Sequence, residues 1–343
     1  MGTSWFEMLF GFAEGDYDAT RARFALEGET LVSRANGRRF GVGRFSTPSL
    51  ESLRERVVGA RPGALRVTHE VIGDALELHA QPENEGALFQ VASQLNCLEF
   101  ADPREIPENG VTDYAHDPTQ GPACALAAAA ATVFRNYFVE VGGQRGQRRD
   151  RQIDNLAELR ARLGDAGQLV DVRNGYTFSS PERLRALGAA LAGVDREALM
   201  GALRVGLQRG VEVTFARRFT PPDTPRRVSQ VFCSALSCGY ASGSLEEWRP
   251  LATLVLDGAY EATLWAAALD AEEGAGSGKV WLTFLGGGAF GNDKAWIGHA
   301  IGRALARAEH VALDVRVAHF RKLDRELCAL VDEARARPGS PPI

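Results

Sequence analysis

Residues 279–292 read KVWLTFLGGGAFGN, and the character of the whole chain turns on them. Residues 280–285 are apolar and partly β-branched, which suits a buried strand. They run straight into Gly286, Gly287 and Gly288, then Ala289, Phe290, Gly291 and Asn292. Trp296, Ile297, Ala300, Ile301 and Leu305 follow at helical spacing. Strand, glycine loop and helix together present bare backbone N–H groups and a helix N-terminus as a concave site for phosphate. Successive glycines let the main chain approach a ligand that a Cβ would hold off. A tight turn without a ligand is the competing reading of any single glycine motif. A phenylalanine between the glycines tilts the balance, because a ring there needs a partner.

Composition narrows the class. The 343 residues can bury a large core, and 45% hydrophobic with 24% charged residues is ordinary for a globular protein. A net charge of −5 argues against a nucleic-acid partner held by overall charge, while leaving a local basic patch open. The cluster Arg145, Arg148, Arg149 and Arg151 reads as solvated surface, with a polyanion contact as the alternative. Five cysteines, odd in number and set in apolar runs, fit a reduced cytoplasmic protein and no disulfide framework. Cys124 and Cys233 read as small buried hydrophobes, with a nucleophile as the lesser reading. No CxxC or HxxxH pattern supplies a metal site, and His299 and His319 read as ordinary helix and strand residues. The aromatic N-terminus carries Glu7 and lacks a basic segment, so it reads as a short amphipathic helix and not a signal peptide. The alanine-rich run at 124–133 is too short to span a membrane.

Along the chain, Asn36-Gly37 marks a hairpin within residues 24–45, and a helix is expected over 50–60 with Pro48 near its start. Strands are expected at 65–69 and 75–79, separated by Ile72-Gly73-Asp74, and a third apolar run ends at Asn96. A polar loop over 99–120 precedes an alanine-rich helix at 123–138; loops of this length in compact domains are usually functional or disordered. Residues 142–209 read as a helical insertion. Strands follow at 211–216 and 228–236, then an amphipathic helix at 248–269 in which Glu261 either faces outward or joins a buried network. A strand at 311–320 and a helix at 323–336 close the sequence. Strands alternating with helices indicate a mixed α/β sheet covered on both faces, with ligands beyond the carboxyl ends of the strands. Asn96, the 117–121 loop and the 286–292 loop share that edge.

The order of these features resembles a macrodomain, the ADP-ribose-binding three-layer α/β/α fold, over residues 71–141 and 211–320. Ile72-Gly73-Asp74 looks like the family's glycine–aspartate pair, which implies that Asp74 accepts from the adenine amino group. FQVASQLN, ending in Asn96, resembles the strand whose asparagine faces the distal ribose. Gln120-Gly121-Pro122 stands where the family has its first ribose-facing loop. LTFLGGGAFGN resembles the diphosphate-cradling loop, which implies backbone donors from Gly286, Gly287, Gly288, Ala289 and Gly291, with Phe290 against the ribose. The family's first loop carries a glycine run and then an aspartate or, in the poly(ADP-ribose) glycohydrolase branch, paired glutamates; here it reads GVTDYAHDPTQGPA.

The expected organisation is therefore an N-terminal extension over 1–70, a macrodomain-like domain over 71–336 with the insertion at 142–209, and a disordered tail over 337–343. The resemblance implies binding of ADP-ribose or an ADP-ribosylated substrate with no required cofactor, and the residue patterns give no metal and no membrane partner. Hydrolysis of an ADP-ribosyl linkage needs a water held beside an oxocarbenium-like centre. Asp117, Gln120 and Asn96 are the candidates, with Asp113 and His116 in reserve. Asn292 either touches ligand or caps the following helix. A non-catalytic reader of ADP-ribose or a related nucleotide is the alternative.

Overall fold

Short β-branched runs bounded by turn residues supply seven strands of one sheet, in the order Arg44–Ser46, Gly206–Glu212, Arg227–Cys233, Leu88–Ala92, Lys279–Leu282, Asp314–Phe320 and Arg66–Ile72. The computed structural model describes residues 3–57, 62–217 and 219–337. The last five strands are parallel, and the first two join by antiparallel pairing. Parallel strands need cover on both faces, which is why their sequences are nearly continuous apolar runs. On one face Val231, Cys233, Val280, Leu282, Val315 and Val317 share a core with the helices Leu245–Glu272, Lys294–Arg307 and Arg325–Ala336. On the other, Phe89, Val228 and Trp281 pack with Leu78, Ala128 and Ala131. The result is the expected three-layer α/β/α mixed sheet. No helix among the described residues is long and apolar enough to cross a membrane.

Several elements differ from the sequence reading. Residues Ala75–His79 form a helix and not a strand. Over five residues the apolar positions fit either period, and Asp74 decides by capping: its carboxylate accepts from the Leu76 N–H at 2.8 Å. The helix expected at 123–138 is two, Gln120–Ala127 and Ala129–Tyr137, broken at Ala128 with φ −118° and ψ 55°. The strand expected from 211 begins at Gly206, so the insertion ends earlier. That insertion holds a hairpin, Asp171–Arg173 with Tyr176–Phe178, besides its helices. Ser49, not Pro48, opens the Leu50–Arg56 helix. Residues 58–60 of the expected helix and 338–343 of the expected tail lie outside the described residues.

The N-terminal segment shapes the long loop. Trp5, Phe6 and Phe10 of the Trp5–Phe10 helix pack with Phe24, Phe40, Ala130 and Val133. The Glu14 carboxylate then accepts from the Val111 and Thr112 N–H groups, the Thr112 hydroxyl and the Tyr137 hydroxyl. This carboxylate gives the 99–120 segment a fixed path that its own polar sequence lacks; the turns Pro107–Asn109 and Thr112–His116 lie along it.

Glu261 proves to be the centre of a buried network. It is 1% exposed and accepts from Arg54 Nε at 2.7 Å, Arg303 Nη1 at 2.9 Å and Trp265 Nε1 at 3.1 Å. Burial pushes its carboxyl up, but Arg54 and Arg307 hold it below the usual carboxylate range. Glu261→Gln keeps the shape and removes the charge that Arg54, Arg303 and Arg307 share. Breaking a buried pair costs about 3–5 kcal/mol, and urea denaturation should read a loss on that scale. A loss below about 1 kcal/mol would put the network on a par with an exposed pair.

Candidate functional site

The carboxyl ends of the parallel strands enclose a cleft of ≈1020 Å³. It opens where two central strands part. Lys279–Leu282 pairs with Leu88–Ala92 only at Val280↔Leu88 and Trp281↔Phe89. Beyond that point the Gln120 side chain replaces the neighbouring strand: its Oε1 accepts from the Ala92 N–H at 2.8 Å and its Nε2 donates to the Gln90 carbonyl at 2.9 Å. Gly121 must follow, because a Cβ there would lie 2.0 Å from the Ala92 carbonyl oxygen. The helix Gln120–Ala127 thus starts at the cleft wall. Thr119 at its N-cap makes no side-chain capping bond, and the Gln120 and Gly121 N–H groups make no hydrogen bond among the described residues; Pro122 has none to give.

The glycine loop forms the neighbouring wall, with Gly286, Gly288, Ala289 and Phe290 lining the cleft. Their N–H groups make no hydrogen bond among the described residues. Gly287 and Gly291 differ: their N–H groups donate within the loop to Phe284 and Gly288, and neither residue lines the cleft. Asn292 is also absent from the lining; its Nδ2 donates to the Leu236 carbonyl at 2.7 Å and ties the loop down. It does not cap the next helix either. Asp293 does, accepting from the Ala295 N–H, so that helix start is satisfied by its own carboxylate. The Phe290 ring meets Tyr176 at 5.3 Å and Tyr240 at 5.8 Å, which gives the ring its partner and makes the insertion hairpin part of the cleft wall.

Other candidates separate clearly. Asp74 lines the cleft with one carboxylate oxygen engaged in its cap. Asp117 lies at the rim and accepts from the Thr119 N–H. His116 lines the cleft but pairs with Asp113 at 3.4 Å in solvent. Gln120 is present, though its amide is committed to the strand. Asn96 is not brought in: it is fully buried, with Nδ2 donating to Gln152 and Oδ1 accepting from the Leu98 N–H. The arginine cluster is engaged locally, with Arg148 on Asp18 and Arg145 on Glu140.

Sequence reasoning missed Glu99. This carboxyl lines the cleft, is 2% exposed, and has Oε1 without a hydrogen-bond partner among the described residues. Its Oε2 accepts from Arg135 Nη2 at 3.3 Å, and its N–H donates to the Tyr114 hydroxyl. Arg135 is itself shared, donating to the Cys97 carbonyl, Gln208 and Thr132. Burial therefore outweighs the pairing and pushes the Glu99 carboxyl up to about 7. The available signal was a lone acid in the apolar run CLEF and a lone arginine in the alanine-rich helix. By contrast Cys124 and Cys233 are inert: burial raises both thiols, Cys233 to about 12.

No protein-family model matches the chain, and no curated protein matches it. Among solved structures it is similar to poly(ADP-ribose) glycohydrolase from Deinococcus radiodurans in complex with ADP-ribose. That match has a TM-score of 0.45 and 14% identity, over 85% of this chain and 94% of that one. The glycohydrolase from Thermomonospora curvata bound to the inhibitor ADP-HPD gives 0.40 and 14%, over 91% and 94%. These distant likenesses transfer no residue roles to this chain.

The raised Glu99 carboxyl has a thermodynamic consequence. Between about 4.5, its ordinary value, and about 7, the folded state holds a proton that the unfolded chain releases, so stability falls as pH rises through that window. Glu99→Gln has no such proton. The melting temperature of the wild type relative to Glu99→Gln should therefore decline from about pH 5 to about pH 7. A constant difference would mean that the carboxyl is ionised throughout.

Proposed function

We propose that the cleft binds ADP-ribose or an ADP-ribose derivative and that the protein hydrolyses an ADP-ribosyl linkage at the distal ribose. The observation that carries this reading is the order of groups along one sheet edge. Asp74 and Phe320, the latter 61% exposed, stand at the ends of the outer strands Arg66–Ile72 and Asp314–Phe320. Next come the donors of Gly286, Gly288, Ala289 and Phe290, and then Glu99 beside the Gln120–Ala127 helix start. Neighbouring strands are about 4.8 Å apart, and a polar edge with a ring, a row of N–H donors and a buried acid follow one another in the order of a base, a diphosphate and a ribose. Protonated Glu99 is suited to protonate a leaving oxygen, or in its ionised form to hold the attacking water. Asp117 at the rim is the second carboxylate. Because the Gln120 and Asn96 amides are committed to structure, a non-catalytic reader is the outcome if Glu99 stays idle.

Gly288→Glu tests binding without disturbing the fold, since nothing lies within 4 Å of where its Cβ would be; Gly287 is unsuitable because a Cβ would strike the Phe284 ring. Calorimetry with ADP-ribose should show affinity falling by at least about tenfold, the effect of about 1.4 kcal/mol, with melting temperature preserved. Unchanged affinity would remove the binding claim. For chemistry, Glu99→Gln should keep binding within a few-fold and cut ADP-ribose release from ADP-ribosylated protein by about 10²–10⁴. Asp117→Ala is expected to cost less. If the wild type binds and releases nothing, the protein is a reader.

A further inference from the structure

We propose that His69, His319 and Cys328 form a binding site for a divalent cation of the zinc class, behind the strand whose Ala318 and Phe320 line the cleft. No local spacing announces this site, since its two histidines lie 250 positions apart. The sheet assembles it. Val317 pairs with His69 across the parallel strands, so His69 and His319 project from one face, opposite to Ala318 and Phe320. Cys328 arrives from the covering helix Arg325–Ala336.

The distances suit a small cation. His69 Nδ1 lies 2.9 Å from His319 Nε2, Cys328 Sγ lies 3.8 Å from the same nitrogen, and the three donor atoms fall within 4.8 Å of one another. Zinc bound at about 2.0–2.1 Å to nitrogen and about 2.3 Å to sulfur in a tetrahedron separates such donors by roughly 3.3–3.6 Å. Two imidazoles and a thiolate are a donor set that favours zinc over magnesium or calcium. Asp332, four residues after Cys328 on the same helical face, acts electrostatically on both His69 and Cys328. Asp332 is not among the donor atoms that fall within 4.8 Å, so a water would take the fourth position. Cys328 is half-buried, which leaves a path from solvent.

Existing hydrogen bonds set the cost of occupying the site. The Asp324 N–H donates to His319 Nδ1 at 3.1 Å, so a neutral His319 carries its proton on Nε2, facing His69 Nδ1. His69 then keeps its own proton on Nε2, which is buried without a partner. The inter-ring hydrogen bond is thus made, and the one unpaired group is the His69 Nε2–H, which points away from the Nδ1 that a cation would use. A cation at His319 Nε2 moves that proton to Nδ1 and displaces the Asp324 N–H. Occupancy therefore exchanges two hydrogen bonds, the inter-ring one and one from the backbone, for bonds to the cation, and bears on the turn that carries Arg321 to the cleft.

Cobalt(II) added to the chelator-stripped full-length chain is the test, with zinc as the competitor. One cobalt per chain is expected, with visible d–d bands and a near-ultraviolet thiolate-to-cobalt band, both bleached by zinc. Cys328→Ser should lose the thiolate band, and His69→Ala should weaken binding by at least about tenfold. His310→Ala, an exposed histidine elsewhere, should match the wild type. Absence of stoichiometric cobalt binding to the wild type overturns the proposal. So does binding that is unchanged in both Cys328→Ser and His69→Ala. ADP-ribose affinity is read separately and decides neither outcome.

Discussion

The site depends on one hydrogen-bond exchange, in which a side-chain amide stands in for a departed β-strand. A parallel strand in the middle of a sheet has backbone donors and acceptors on both sides, and leaving them unpaired in the interior costs roughly 1–3 kcal/mol each. When Lys279–Leu282 diverges, Gln120 supplies both missing partners to Gln90 and Ala92. A second amide reinforces the split: Gln90 Oε1 accepts from the Thr283 N–H and its Nε2 donates to Thr263. The crevice is thus held open by satisfied polar groups and not by strain. The same exchange fixes Gly121 against the strand end and places a helix start at the cleft.

The exchange also explains how an acid can sit in the floor. Glu99 and Gly121 are neighbours, with the Glu99 Cγ 3.2 Å from where a Gly121 Cβ would be. A larger residue at 121 would displace either the strand or the carboxyl. Arg135 steadies one carboxylate oxygen, while spreading its charge over Cys97, Gln208 and Thr132 and lying 3.8 Å from the centre of the Phe232 ring. A guanidinium committed that widely neutralises its acid incompletely. Burial therefore prevails, and the carboxyl is poised near neutrality instead of being locked as an ion pair.

How much of this was legible in the sequence depended on range. The glycine loop, the alternation of strands and helices and the shared edge were readable, because each rests on a local period or a local turn signal. Ala75–His79 was not, since five residues cannot separate two periods. Asn96 looked like a site residue because it ends a strand. Its burial is set by Gln152 and the insertion hairpin, whose Gly175 approaches it so closely that a Cβ would lie 2.8 Å from the Asn96 Cγ. Gln120 was read as a reacting group because it precedes a glycine beside the cleft, whereas its worth lies in a strand that had not yet been seen to part. Glu99 and the His69–His319–Cys328 group depend on long-range pairing, to which spacing rules are blind.

Charge sets the mode of recognition the cleft can support. Its lining carries Asp74, Glu77, Glu99 and Asp117, against one permanently cationic side chain, Arg321, among the described lining residues. Bulk attraction cannot hold a diphosphate there, because the carboxylates outnumber the guanidinium. What remains is directional: unclaimed N–H groups in the glycine loop and the helix start, worth most where water is excluded. Arg321 lies 4.8 Å from the centre of the Phe320 ring and adopts φ 60°, a left-handed conformation that costs a non-glycine residue energy. Its N–H donates to the Ile72 carbonyl, so the sheet edge itself holds the turn in that shape. The turn therefore holds Arg321 at the lip beside an exposed ring. Under the proposed reading, such a lip favours a ligand long enough to reach the N–H row as well, because a simple anion there gains one charge contact and meets several carboxylates.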